Sequence, residues 1–169
     1  MKIRNFILPA LLAFALVAVS CSSSQSTTSS TASAANLKKS LFNGTWVVNS
    51  VEIDPGLKQL AGDVTVLGEG DASCFQGSTW HLISNNNTGT YTLPESSKCY
   101  STTRKIVWSV LGNSFRFKVV DEGTKAKTVT TGYDFEIYNA TETYFSLKTT
   151  VLFLNKQCPI TLNFTKQAK

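Results

Sequence analysis

Four cysteines (Cys21, Cys74, Cys99, Cys158), the single histidine His81 and a few close carboxylate pairs are the side chains with capacity for covalent, metal or acid–base chemistry in this 169-residue chain. A nucleophile–imidazole pair would have to use His81. That residue lies between Trp80 and Leu82, and strand alternation points it to the opposite face from both, so it reads as solvent-facing. The carboxylate pairs are Glu52/Asp54, Asp121/Glu122 and Asp134/Glu136. Two are same-face strand neighbours and one is a turn, which solubility and cross-strand pairing explain. A glycosidase-like pair needs one partner in an apolar cleft, and no such cleft is marked. Gly68-Glu69-Gly70-Asp71 is acidic and flexible enough to touch Ca²⁺, yet it lacks the ligand ladder of a dedicated site. The cysteines lack the close spacing of zinc ligands. No catalytic residue, metal ligand or cofactor is expected, and the chain reads as a non-enzyme.

Cys21 does other chemistry. Lys2 and Arg4 precede an apolar stretch from Phe6 to Val19, interrupted by Pro9 and ending in Ala18-Val19-Ser20-Cys21. Such a stretch reads as a secretory signal, too short and wrongly flanked to be a spanning helix. The small residues before the cysteine resemble the bacterial lipobox, with Ala18 standing where leucine is usual. The resemblance implies a signal peptide over 1–20 and an acylated Cys21 that holds the protein on a lipid bilayer. Ordinary secretion with cleavage near Ser20 is the alternative. Ser22, with no Asp following the cysteine, resembles the outer-membrane sorting pattern of Gram-negative lipoproteins. No acidic surface-export cluster follows, so the periplasm-facing leaflet is expected. Residues 22–35, SSSQSTTSSTASAA, lack the apolar mass to offset ordering entropy and read, within 21–36, as a flexible tether.

Residues 37–169 suffice for one domain with one core. The formal charge of +5 becomes +3 once Lys2 and Arg4 are removed. The remaining lysines are scattered, with no block of like charge, and nucleic-acid binding is not expected.

Strand signals then recur along the domain. They fall at 45–53, weakly at 63–67, then at 79–84, 90–93, 104–111, 114–120, 130–138, 143–154 and 158–165. Asn85-Asn86-Asn87-Thr88-Gly89 and Gly112-Asn113 read as hairpin turns. Helical turns are expected only at 37–42 and 57–61. Alternation puts Phe115, Phe117 and Val119 on one face and Arg116 and Lys118 on the other. Tyr133, Phe135 and Ile137 likewise oppose Asp134 and Glu136, and Ile160, Leu162 and Phe164 oppose Thr161 and Asn163. One wet face and one dry face describe an antiparallel sheet closed on a core. With Arg116 and Lys118 set near Asp134 and Glu136 on the outside, the expected fold is an all-β, eight- to nine-stranded up-and-down barrel.

Export places Cys74, Cys99 and Cys158 in an oxidising compartment, where three single pairings are open. Cys74–Cys99 is favoured because each lies just outside the hairpin 79–93, at about equal distance from its turn. Closing that loop contributes roughly 3–4 kcal/mol on the chain-entropy model. Cys158 remains, either buried at the start of the last strand or open to an intermolecular bond.

Gly44-Thr45-Trp46 on the first strand resembles the lipocalin signature, in which the tryptophan plugs the closed end of the barrel. A longer set is similar to the lipocalin-like lipoproteins of Bacteroidetes bacteria: Cys74-Phe75-Gln76-Gly77-Ser78-Thr79-Trp80, Asn85-Asn86-Asn87, Gly89-Thr90-Tyr91 and Cys99, within 41–165. The resemblance implies an eight-stranded barrel or half-barrel on a lipid anchor. It also implies a basic residue of the last strand over Trp46, with Lys166 the nearest candidate and Lys156 the second. The aromatic residues leave two readings open. Trp46, Trp80, Trp108, Phe115, Phe117, Tyr133, Phe135, Phe145 and Phe153 can fill a small barrel. Alternatively Trp108, Phe115, Phe117, Tyr133 and Phe135 line a shallow pocket for a small hydrophobic ligand near the open rim. A different class of function is also open, an accessory lipoprotein that contacts an envelope protein complex through its wall or loops.

Overall fold

Period-two alternation turns into a closed wall. A computed structural model describes residues 37–55, 64–153 and 155–168. The signal expected over 1–20, the tether over 21–36 with Cys21, and the helical turn expected at 57–61 lie outside the described residues. Eight strands form the barrel: β1 (Gly44–Ile53), β4 (Thr79–Ile83), β5 (Thr88–Leu93), β6 (Thr102–Leu111), β7 (Ser114–Val119), β8 (Tyr133–Tyr138), β9 (Tyr144–Phe153) and β10 (Lys156–Lys166). Each pairs antiparallel with the next, and β1 closes the circle between β10 and β4. Closure leaves no sheet edge, the structural solution for a meander of short strands. Between β1 and β4 lie β2 (Thr65–Val66) and β3 (Gly70–Asp71), which pair only with each other.

The expected strand pattern holds with local corrections. The β4–β5 turn is shorter than expected, because Thr88 and Gly89 already pair with Ile83 and Leu82. Asn87 supplies the positive φ, at 62°, and the Asn86 side chain accepts from the Thr88 N–H. The β6–β7 hairpin turns at Gly112, whose φ is 59°. β8 begins only at Tyr133, since 126–128 form a 3₁₀ turn. Arg116 faces Asp134 across the β7–β8 pair and binds it at 2.8 Å. Lys118 does not join the carboxylates. Its ammonium donates to the Val129 carbonyl at 2.8 Å, because the loop before β8 passes over it.

Register collects the start of β1, the end of β10 and the β4–β5, β6–β7 and β8–β9 connections at one rim. A 3₁₀ turn over Lys39–Phe42 closes that end. Phe42 is buried against Phe145 and Phe115, with ring centroids 5.0 and 5.8 Å away. The Trp46 indole donates to the Phe42 carbonyl at 2.8 Å. Lys166 lies over the same indole, Nζ 5.1 Å from the ring centroid, so the last-strand cation is Lys166 and not Lys156. Gly44 has φ 125°, and a Cβ there would meet Lys166 Cε at 3.2 Å. The backbone conformation favours glycine at this point, and a side chain there would also have to displace the passing lysine by a few tenths of an ångström.

Candidate ligand site at the capped mouth of the barrel

The opposite rim gathers the end of β1, the β5–β6 and β7–β8 connections and the paired ends of β9 and β10, and residues 64–78 fold across it. Leu67 and Gly68 turn the β2–β3 ribbon with φ of 58° and 71°. Glycine takes that conformation freely, whereas a leucine does so at a steric cost. Asp71 then caps the 3₁₀ turn Ala72–Phe75, its carboxylate accepting from the Ser73 N–H at 2.6 Å. The next anchor is covalent. Cys74 and Cys99 are bridged, with Cα atoms 5.6 Å apart, which ties this turn to the loop between β5 and β6. Cys158 is a free thiol and is fully buried in β10. Val64, Val66, Leu67, Ala72 and Phe75 are buried in one cluster with the barrel interior. The segment is therefore a stopper whose apolar side faces inward.

Its polar side is held as specifically. Glu69 Oε1 accepts from Tyr91 OH at 2.9 Å and from Arg104 Nε at 2.8 Å, and Oε2 accepts from Arg104 Nη2 at 3.1 Å. The Glu69 side chain is 11% exposed. Tyr133 OH donates to the Leu67 carbonyl at 2.7 Å. Two-point contact between a guanidinium and a carboxylate fixes geometry as well as charge. Burial, followed by the Glu69 charge, pushes the Tyr91 phenol far above the ordinary tyrosine range. The same two causes raise Tyr133, and the hydrogen bond to Glu69 raises Arg104. Both phenols are therefore donors at neutral pH.

The residues expected to line a pocket lie inside the barrel, in contact with one another. Trp108 stacks on Phe115 at 5.4 Å, and Phe117 stacks on Phe135 at 5.9 Å. Phe117 also meets Tyr133 at 5.2 Å and Trp80 at 5.5 Å. A chain of ring contacts runs from Phe42 through Phe115, Phe117 and Tyr91 to Phe75, with steps of 5.8, 6.3, 6.4 and 6.0 Å. Aromatic packing thus fills the barrel from closed end to stopper, as in the first of the two readings. Phe153 is only partly buried and packs at the margin. Of the five pocket candidates, Tyr133 reaches the stopper through its hydroxyl, and Phe117 lies beside Tyr133 and Tyr91. Trp108, Phe117 and Tyr133 also border a depression of about 500 Å³. Its outward-facing margin is Val107, Ser109, Arg116, Lys118 and Asp134, so it belongs to the outer wall.

Other candidate chemistry is accounted for by local partners. His81 is exposed and hydrogen-bonds Thr45 Oγ1 at 3.1 Å. Glu52 accepts the Asn163 amide at 2.7 Å, and Glu136 accepts from Tyr138 OH at 2.8 Å. In the 68–71 loop, Glu69 is turned to Arg104 and Asp71 to the backbone, so these acids do not converge on a cation. Sequence reasoning did not single out Glu69, Arg104 and Tyr91 as a group. The available signal was the position of Arg104, two residues before Ile106 and four before Trp108, on the inward face of β6.

A family model described as a lipocalin-like domain matches residues 42–147, more than half of the chain. No curated protein matches it. A meander of eight antiparallel strands, an N-terminal turn over one end, and Gly44 and Trp46 beneath Lys166 agree with that match. The chain belongs to the lipocalin-like domain family.

Proposed function

We propose that the protein is a non-enzymatic, lipid-anchored envelope protein that takes a small hydrophobic ligand at the stoppered mouth of its barrel. The observation that carries this reading is the stopper. Val66, Leu67 and Phe75 are buried at the mouth, where an apolar ligand would be withdrawn from water. The filled aromatic column beneath leaves ligand contact to the upper layer, Phe117, Tyr133 and Tyr91, rather than to Trp108, Phe115 and Phe135 deeper in. Acylation at Cys21 supplies the anchor in this reading, two chains or more being needed for stable attachment. In this reading, Ser22 after Cys21 and the absence of an acidic cluster in 22–35 support placement on the periplasmic face of an outer membrane, by resemblance to Gram-negative lipoproteins.

The filled interior also favours a second reading, a lipoprotein that works through its outer wall on an envelope protein. Native mass spectrometry of the chain extracted from envelopes separates the two. The first predicts acyl mass on Cys21 together with an apolar molecule released on denaturation, and detergent-free extraction of Cys21→Ser. Acylated protein with no apolar guest, and no saturable uptake of an added fatty-acid analogue, would leave the second.

A further inference from the structure

We infer that the closed end of the barrel is a membrane-docking face, which rests on the anionic headgroups of the bilayer that holds Cys21 and turns the stoppered mouth away from it. This rests on the lipid-anchored reading above and adds the orientation of the domain. Three observations meet at that end. The described domain begins there, at Leu37, and the Lys39 ammonium donates to Asn87 in the β4–β5 turn. Charge at this end is basic among the described residues. Arg116 is taken by Asp134 and Lys148 stands opposite Glu136, which leaves Lys38, Lys39 and Lys166 against one carboxylate, Glu142. Lys38, Lys166 and Glu142 border one recess of about 480 Å³. An apolar side chain stands out at the same rim: Leu111, at the β6–β7 turn, is 64% exposed.

The point of entry does not select the end by itself. At full extension residues 22–36 reach about 50 Å, far enough to let either rim meet the bilayer. Charge selects it. At the mouth, Lys98, Lys125, Lys127 and Lys156 are interleaved with Asp54, Glu95, Asp121 and Glu122, and Arg104 is held by Glu69. A balanced rim gains little from an anionic surface, whereas each uncompensated lysine favours partitioning onto it by about fivefold, within a Debye length. Leu111 adds an apolar contact. It sits at the tip of a short turn with its side chain already outside the core, so it enters the headgroup boundary without disturbing the barrel. The mouth has exposed apolar residues of its own, Tyr100 and Leu152. In this arrangement they stay in water, open to whatever approaches from the aqueous side.

The experiment is a spin-label depth measurement on the acylated protein in vesicles of phosphatidylcholine, with or without phosphatidylglycerol. Leu111→Cys, Tyr100→Cys and Leu152→Cys each replace an exposed side chain. Cys158 is buried and Cys74 and Cys99 are bridged, so the nitroxide reports the introduced thiol. With phosphatidylglycerol present, the label at 111 is expected to be relaxed by oxygen dissolved in lipid and shielded from an aqueous nickel chelate. Labels at 100 and 152 are expected to show the reverse. Lys38→Glu, or omission of phosphatidylglycerol, is expected to lower the ratio of docked to free barrel about tenfold or more. Near-ultraviolet circular dichroism checks that each variant keeps its packed aromatic core. Lipid contact at 100 or 152 with 111 in water overturns the orientation, and lipid contact at 111 that ignores both charge changes overturns the role of the lysines. All three labels in water, on protein that stays with the vesicles through a salt wash, overturn docking and leave the anchor intact. A label at 111 that is in water on vesicles but immobilised in native envelopes also overturns it, in favour of a protein partner at this rim. Protein that carries no acyl mass and leaves the vesicles removes the anchored reading and this one with it.

Discussion

Replacing Phe117 with alanine tests whether the barrel interior is a packed core. Phe117 is 2% exposed, and five aromatic rings surround it, those of Trp80, Tyr91, Phe115, Tyr133 and Phe135, with centroids 5.2 to 6.4 Å away. These rings sit on four strands of a closed wall, β4, β5, β7 and β8, so the site has little freedom to collapse. Two costs add. Losing the buried ring forfeits about 2 kcal/mol of transfer free energy, and a residual cavity of roughly 100 Å³ costs about 2.4 kcal/mol at about 24 cal/mol per Å³. The expected loss is therefore about 4 kcal/mol, within the usual range of about 3–5 kcal/mol for such changes. Urea unfolding followed by tryptophan fluorescence measures it, since Trp80 and Trp108 belong to the same packed interior. The midpoint should fall with an unchanged slope, because the native and unfolded surfaces are nearly unaltered. Phe117→Leu, which keeps most of the volume, should lose less than half as much. A loss below about 1 kcal/mol for Phe117→Ala would refute the packed-core argument, because it would place the ring in a space already accessible to solvent or to a guest.

Peptide mapping without reduction should recover Cys74 joined to Cys99, with Cys158 alkylated only after unfolding; for the 25-residue separation, removing the bridge should cost about 3.5 kcal/mol on the chain-entropy model. Tyr91 should make the fold alkali-sensitive, since its folded phenol stays protonated where an unfolded one ionises. The unfolded chain then binds fewer protons, so stability falls as pH rises above about 10, at up to about 1.4 kcal/mol per pH unit, and Tyr91→Phe should flatten that slope in pH-dependent urea titrations. Gly89→Ala should destabilise by about 1–3 kcal/mol or more in thermal unfolding, because a Cβ at Gly89 would lie 2.5 Å from the His81 carbonyl oxygen, with Leu82 and Ile106 crowding it from either side.

Sequence alone carried the wall of this protein. Alternation in 115–119, 133–137 and 160–164 assigns an inner and an outer face without reference to any distant residue, and turns such as Gly112-Asn113 join strands that are neighbours in the chain. Local pairing also made the Cys74–Cys99 bridge legible, because the hairpin between them brings its own flanks together. The closed end was legible in Gly44 and Trp46, with Lys166 supplied by the resemblance. The mouth was not. Its β2 and β3 are two residues long, too short for a periodic signal, and the stopper acts through partners remote in sequence. Glu69 meets Arg104 across 35 residues, and Tyr133 meets Leu67 across 66. Arg104 is a charge on an inward-facing position, and alternation cannot say what neutralises it. Whether the aromatic rings fill the barrel or line a cavity was likewise decided only in three dimensions. Burial of a ring follows from its position on a strand, but the space between rings depends on how eight strands close and how each ring tilts against the next.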